Sequence, residues 1–189
     1  MLARRKLLGV GLAAAAGSGL AAVAGAASAA LPALPLSPVA PRRVRLDCVH
    51  TGESLDAVYF EGGRYEAEVL HRVSHTLRDF RTGDVHFIDP VLLDVLASIA
   101  QRTGTRQPFQ VLSGYRSPKT NAMLHEHSEE VASHSLHMQG MAIDIHLADA
   151  PLAHLHDAAL KLQAGGVGYY PESGFVHVDA GRVRRWQGT

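Results

Sequence analysis

The chain has 189 residues, enough for one ordinary domain and too few for two. Its 18 Lys and Arg balance 18 Asp and Glu, which excludes a dominant nucleic-acid-binding surface or an acidic solvating tail. With 47% hydrophobic residues and one cysteine, Cys48, the chain can bury a core but cannot form a disulfide scaffold or a Cys-rich zinc module.

Arg4, Arg5 and Lys6 precede an uncharged stretch of Ala, Gly and Leu that ends at Ala27-Ser28-Ala29. This pattern predicts an export signal over residues 1–29, with small residues at the cleavage site. The paired arginines fit the twin-arginine route, so a periplasmic location is expected, with no permanent membrane anchor after cleavage. The competing reading is a retained membrane helix, which the Ala/Gly richness and the small-residue site disfavour. Four prolines between Leu31 and Pro41 predict an extended linker over residues 30–43, leaving a domain at 44–189.

Val44 and Leu46, then Leu55, Ala57 and Tyr59, alternate with polar neighbours and predict two short strands before a Gly62-Gly63 turn. Leu70, Val73, Leu77 and Phe80 form one apolar helical stripe. Asp89-Pro90 opens a second helix that runs to about Gly104. A strand over Phe109–Leu112 leads into Ser113-Gly114-Tyr115-Arg116, and Ser117-Pro118 opens a short helix to about Leu124. Ala142–Leu147 reads as a strand, Leu152–Leu162 as a helix stopped by Gly165-Gly166, and Phe175–Asp179 as a last strand. No regular βαβ alternation emerges. The expected fold is α+β: a small, mostly antiparallel sheet with helices packed on it and a metal site on the sheet face.

Twelve histidines, eight of them between His125 and His177, ask for an explanation, since imidazole is the commonest metal ligand. Ser135-Leu136-His137-Met138-Gln139-Gly140-Met141-Ala142-Ile143-Asp144 is the most informative stretch. Gly140 permits a bend that turns His137 back toward a strand carrying Asp144. On that strand Ala142, Asp144 and His146 share one face; on the other, Phe175, His177 and Asp179 do. A carboxylate between isoleucines in a core strand is costly unless it is paired. If the strands are neighbours, imidazoles and a carboxylate converge with His137. Two neutral imidazoles and one carboxylate suit zinc with an open fourth position, and such a site suits amide hydrolysis. Taken singly, each residue is better read as completing a buried hydrogen-bond network; two strands each carrying a titratable pair favour the metal.

Ser113-Gly114-Tyr115-Arg116-Ser117, the His137…Asp144 element, and Gly165-Gly166-Val167-Gly168-Tyr169-Tyr170 leading into Phe175–Asp179 together resemble the YcbK-like murein endopeptidases. These belong to the D-Ala-D-Ala carboxypeptidase group of zinc peptidases. Leu77–Gly83 and Ile88-Asp89-Pro90 also fit, so the resemblance spans Val44–Trp186. It implies one zinc ion held by His137, Asp144 and His177, and cleavage of peptide cross-links between peptidoglycan stem peptides, at diaminopimelate–diaminopimelate or D-Ala–diaminopimelate bonds. It also implies a substrate or transition-state role for Arg116. Better-known relatives carry Glu or His shortly before the last metal ligand, where this chain has neither. Asp179 is the first choice for general base or for orienting a ligand, with His134, His146 and Glu172 in reserve.

His71 and His75 lie four apart on a helix with no third ligand evident; His154 and His156 point to different sides of theirs. For His125 and His127 nothing in the sequence decides whether they line the cleft rim. Competing functions are a D-alanyl carboxypeptidase, a non-catalytic wall-binding module on the same fold, and a periplasmic metal carrier.

Overall fold

The computed structural model describes residues 34–128 and 131–189; the expected export signal lies outside them. The elements run β1 (Arg42–Cys48), β2 (Ser54–Glu61), β3 (Arg64–Tyr65), α1 (Ala67–Thr76), α2 (Pro90–Thr103), β4 (Phe109–Ser113) and α3 (Pro118–His127). A 3₁₀ turn (Leu136–Gln139), β5 (Ala142–His146), α4 (Leu152–Leu160), β6 (Gly166–Tyr170), β7 (Phe175–Asp179) and β8 (Arg184–Gln187) complete the chain. The eight strands form one mixed sheet in the order β3-β2-β1-β4-β5-β7-β6-β8. Only β1/β4 and β6/β8 pair in parallel, so the α+β architecture with a mostly antiparallel sheet is as expected.

Two of the helices start where their caps dictate. Asp89 accepts the amide of Val91 at 2.9 Å with Pro90 in the first turn, and α2 stops at left-handed Gly104. Ser117 caps α3 by accepting the amide of Thr120. The first helix departs from expectation: α1 ends at Thr76, and Phe80 lies beyond it, stacked on His50. The Asp79 carboxylate accepts the amides of Arg81 and Ser117, each at 2.9 Å, and this local turn competes with further helix. At the other end of the domain, β1 starts at Arg42, inside the expected linker. Arg42 is held there by Asp94 on α2, which also accepts from the hydroxyls of Tyr59 and Tyr65. β3, β6 and β8 are additions to the expected strands, and α4 is two residues shorter than expected.

Period-two alternation decides which face of the sheet does what. Ile143, Ile145, Val176 and Val178 join Leu155, Ala159 and Leu162 in the core. Their strand neighbours Asp144, His177 and Asp179 are therefore turned to the opposite face. Gly140 closes the 3₁₀ turn at φ +66°, and a Cβ there would collide with the backbone oxygen of Phe87. Gly140→Ala is expected to cost at least about 2 kcal/mol by urea unfolding, from left-handed strain plus overpacking. An unchanged unfolding midpoint would contradict this account of the bend. Among the described residues no helix is long and apolar enough to cross a membrane.

Candidate active site

β5 and β7 are adjacent, and their register sets Asp144 directly opposite His177. The 3₁₀ turn before β5 delivers the third residue. His137 is 2% exposed, its amide is accepted by the Ser135 hydroxyl, and its ring lies edge-on to that of His177. His137, Asp144 and His177 each offer a ligand atom, and these atoms lie within 4.8 Å of one another. It is the one such cluster of three or more among the described residues.

The nitrogens of both rings have separate tasks. His137 Nδ1 donates to the carbonyl of Gly114 at 2.7 Å, which leaves Nε2 turned toward Asp144 Oδ1 at 3.3 Å. His177 Nε2 donates to Asp179 Oδ2 at 3.1 Å, which leaves Nδ1 at 2.8 Å from Asp144 Oδ1. Each imidazole is thus oriented by an acceptor behind it, the arrangement found around metal-ligating histidines. Burial opposes ionisation of Asp144, but the charge and hydrogen bonds of His137 and His177 hold its carboxyl well below the usual range. Burial lowers the His137 pKa despite Asp144. It also acts on His177, where the bonds to Asp144 and Asp179 outweigh it and raise the pKa.

The three residues open onto a cleft of about 380 Å³. Arg116, Val131, Ala132, His134, Tyr170, Phe175, Arg184 and Trp186 are among the residues that line it. Two guanidiniums line it: Arg116 beside Asp144, and Arg184, which is paired with Asp179 behind the cleft. Arg116 is 9% exposed and its Nη2 lies 3.5 Å from Asp144 Oδ2. Its remaining bonds, to Asn121 and Ser113, are long at 3.5 and 3.3 Å, and its buried Nε meets no acceptor among the described residues.

The four residues considered for proton transfer separate sharply. Asp179 is 1% exposed and does not line the cleft; Oδ1 accepts from the amides of Gly166 and Gly181 and from Arg184, and Oδ2 accepts from His177 and Arg184. Against its burial, these partners keep its carboxyl far below the usual range. His146 is turned to the carbonyl of Gly174, and neither it nor exposed Glu172 lines the cleft. His134 does, exposed, with Nδ1 at 3.1 Å from the Ser133 hydroxyl.

The other histidines are outside the cleft lining. His71 and His75 are exposed on α1, and His156 stacks on Tyr169. His125 and His127, left open by the sequence, are not among the cleft-lining residues: they bond the carbonyls of Val131 and Met123, which lets His125 tether the cleft loop to α3. Sequence reasoning missed Trp186 and Arg184. The alternation of Arg184 and Trp186 along one strand face was the available signal.

Residues 37–186 match the model of the family described as peptidoglycan L,D-endopeptidase MepK (Peptidase_M15_2). The chain belongs to that family. Its relatives include the peptidoglycan L,D-endopeptidase MepK of Escherichia coli (strain K12), 45% identical over 151 residues, 80% of this chain and 83% of the relative. The probable peptidoglycan L,D-endopeptidase MepK of Haemophilus influenzae is 39% identical over 150 residues, 79% of this chain and 81% of the relative. The family match covers the Asp79 turn, whose place in the site is now clear: Asp79 anchors Ser117, next to Arg116.

Hydrogen bonds outweigh burial and lower the Asp79 pKa to about 2 from an ordinary 3.8. A depressed pKa means stability that is present above pH 4 and lost as pH falls toward 2. Asp79→Asn is expected to lose about 2 kcal/mol at neutral pH, a deficit that shrinks on acidification to pH 2. Urea unfolding at both pH values checks this; a pH-independent deficit would refute the ionised clamp.

Proposed function

We propose that this protein is a zinc-dependent peptidoglycan endopeptidase that cuts peptide cross-links between stem peptides. The observation that carries the reading is the convergence of His137 Nε2, Asp144 and His177 Nδ1 in one cleft. Two imidazoles and one carboxylate on a rigid sheet fit zinc, because the donors are intermediate in softness and leave a coordination position unused. Zinc bound there supplies Lewis-acid polarisation of a carbonyl and makes a water acidic enough to attack near neutral pH.

The chain's own residues perform the remaining tasks. Asp179 orients His177 and is not the general base, since every contact it makes lies behind the ring. Arg116 reaches the cleft from beside Asp144 and donates to the oxygen on which charge develops. His134 takes the proton from the attacking water and returns it to the leaving amine, as a cleft-lining imidazole can.

Stereochemistry narrows the bond. A diaminopimelate–diaminopimelate link joins an L-centre carbonyl to a D-centre amine, whereas D-Ala–diaminopimelate is a D,D link. The relatives' name, L,D-endopeptidase, favours the first. The reading includes a twin-arginine export signal over residues 1–29, a linker from residue 30 and a periplasmic domain, which the paired arginines and the peptidoglycan substrate support.

Mass spectrometry of defined muropeptides is the test. Diaminopimelate-linked dimers are expected to yield monomers, and chelation to stop this. Release of D-alanine from linear pentapeptides instead would make the protein a carboxypeptidase. Stoichiometric zinc and sacculus binding without turnover would make it a binding module.

A further inference from the structure

β6 has no side chains where β8 comes closest to the metal site. The register sets Gly166 opposite Arg184 and Gly168 opposite Trp186. A Cβ on Gly168 would lie 2.6 Å from the Trp186 ring, and one on Gly166 would collide with both Arg184 Nη1 and Asp179 Oδ2. The glycines clear a shelf on which these three side chains lie. On it, Arg184 grips Asp179 with both prongs, Nη2 to Oδ2 at 2.7 Å and Nη1 to Oδ1 at 3.1 Å. The indole of Trp186 is tilted against the His177 ring at 5.1 Å, and its Nε1 donates to the Tyr170 hydroxyl at 2.8 Å. The Arg184 guanidinium lies 4.9 Å over that indole.

We propose that Arg184 is a positioning residue of the metal centre: by holding both oxygens of Asp179 it fixes the carboxylate that points His177 Nδ1 at Asp144 and His137. A carboxylate can rotate about its last bond. The amides of Gly166 and Gly181 restrain Oδ1 alone, while Oδ2, the atom that receives the His177 proton, has Arg184 as its other partner. Without the guanidinium, Oδ2 swings and the His177 ring loses its fixed direction. The inference rests on the zinc reading given above and adds an outer partner to it.

The experiment measures zinc affinity by competition with a chromophoric chelator, and the visible spectrum of the cobalt-substituted protein, for the purified wild type and variants. Arg184→Gln is expected to weaken zinc binding about tenfold, the lower end of what outer partners of metal ligands contribute, and to alter the cobalt bands. Arg184→Lys keeps the charge but offers a point donor in place of a fork, and is expected to recover only part of the loss. Arg185→Gln, an exposed change on the same strand, controls for disturbance of β8 and should match wild type. Wild-type affinity and cobalt bands in Arg184→Gln would overturn the proposal. Should Arg184→Gln fail to fold, wild-type behaviour of Arg184→Lys overturns the two-pronged grip. A wild type that binds no zinc fails differently, since it removes the metal reading itself.

Discussion

Replacing His137 with alanine is expected to abolish stoichiometric zinc binding and to slow cross-link cleavage by on the order of a thousandfold. The magnitude follows from a lost Lewis acid, which supplies several kcal/mol, at about 1.4 kcal/mol per tenfold in rate. His137 cannot be replaced from nearby. It is one of three donors in the only such cluster among the described residues, and its ring is aimed by a fixed backbone carbonyl, that of Gly114. Removing it leaves Asp144 and His177, a two-donor set too small to hold the ion against water. The variant also deletes a partner that keeps Asp144 ionised. Its metal-free form is therefore expected to unfold at a lower temperature than metal-free wild type, and zinc should no longer raise that temperature. Retained turnover with retained zinc would end the ligand assignment.

The sequence carried this site unusually well because its key relation is a strand relation. Period two alone separates Asp144 from Ile143 and Ile145, and His177 from Val176 and Val178. Any pairing of those two strands in that register then brings the polar pair together. The pairing itself was not readable, since β5 and β7 are separated in sequence by α4 and β6 and their adjacency is a tertiary fact. The strands that escaped notice did so for a physical reason. Gly166 and Gly168 give β6 little strand propensity, and two arginines make β8 look like surface. Both strands exist because their neighbours select them: the glycines leave room for Arg184 and Trp186. The end of α1 was misjudged for a related reason. Phe80 falls on the helical stripe, but Asp79 forms its own turn and binds a loop more than thirty residues away. Asp179 shows the same limit at the site itself. It shares a strand face with His177, as expected, yet only the positions of Arg184 and two backbone amides reveal that its carboxylate is taken up behind the His177 ring and does not line the cleft.

Arg116→Met is expected to lower the turnover number for cross-linked dimers by about a hundredfold to a thousandfold, the usual cost of losing one preorganised donor to a developing oxyanion. The arginine is well placed for that role. It lies beside Asp144 without a tight bond to it, its other contacts are long, and it is buried enough for a donated hydrogen bond to be strong. Methionine keeps the aliphatic stem packed and removes only the charged head. Lysine is expected to restore little, because a single ammonium cannot reproduce the planar fork. A purely structural arginine predicts the opposite pattern, lost stability with near-normal turnover in the folded fraction. The two can be separated by thermal unfolding with zinc and with chelator. When zinc is bound Asp144 has a divalent charge beside it; when zinc is removed it has only Arg116 and the two imidazoles. Arg116→Met should therefore destabilise the chelated protein more than the zinc-loaded one, widening the gap between their melting temperatures. A narrowed gap together with wild-type turnover would assign Arg116 to the scaffold and leave the oxyanion without its donor.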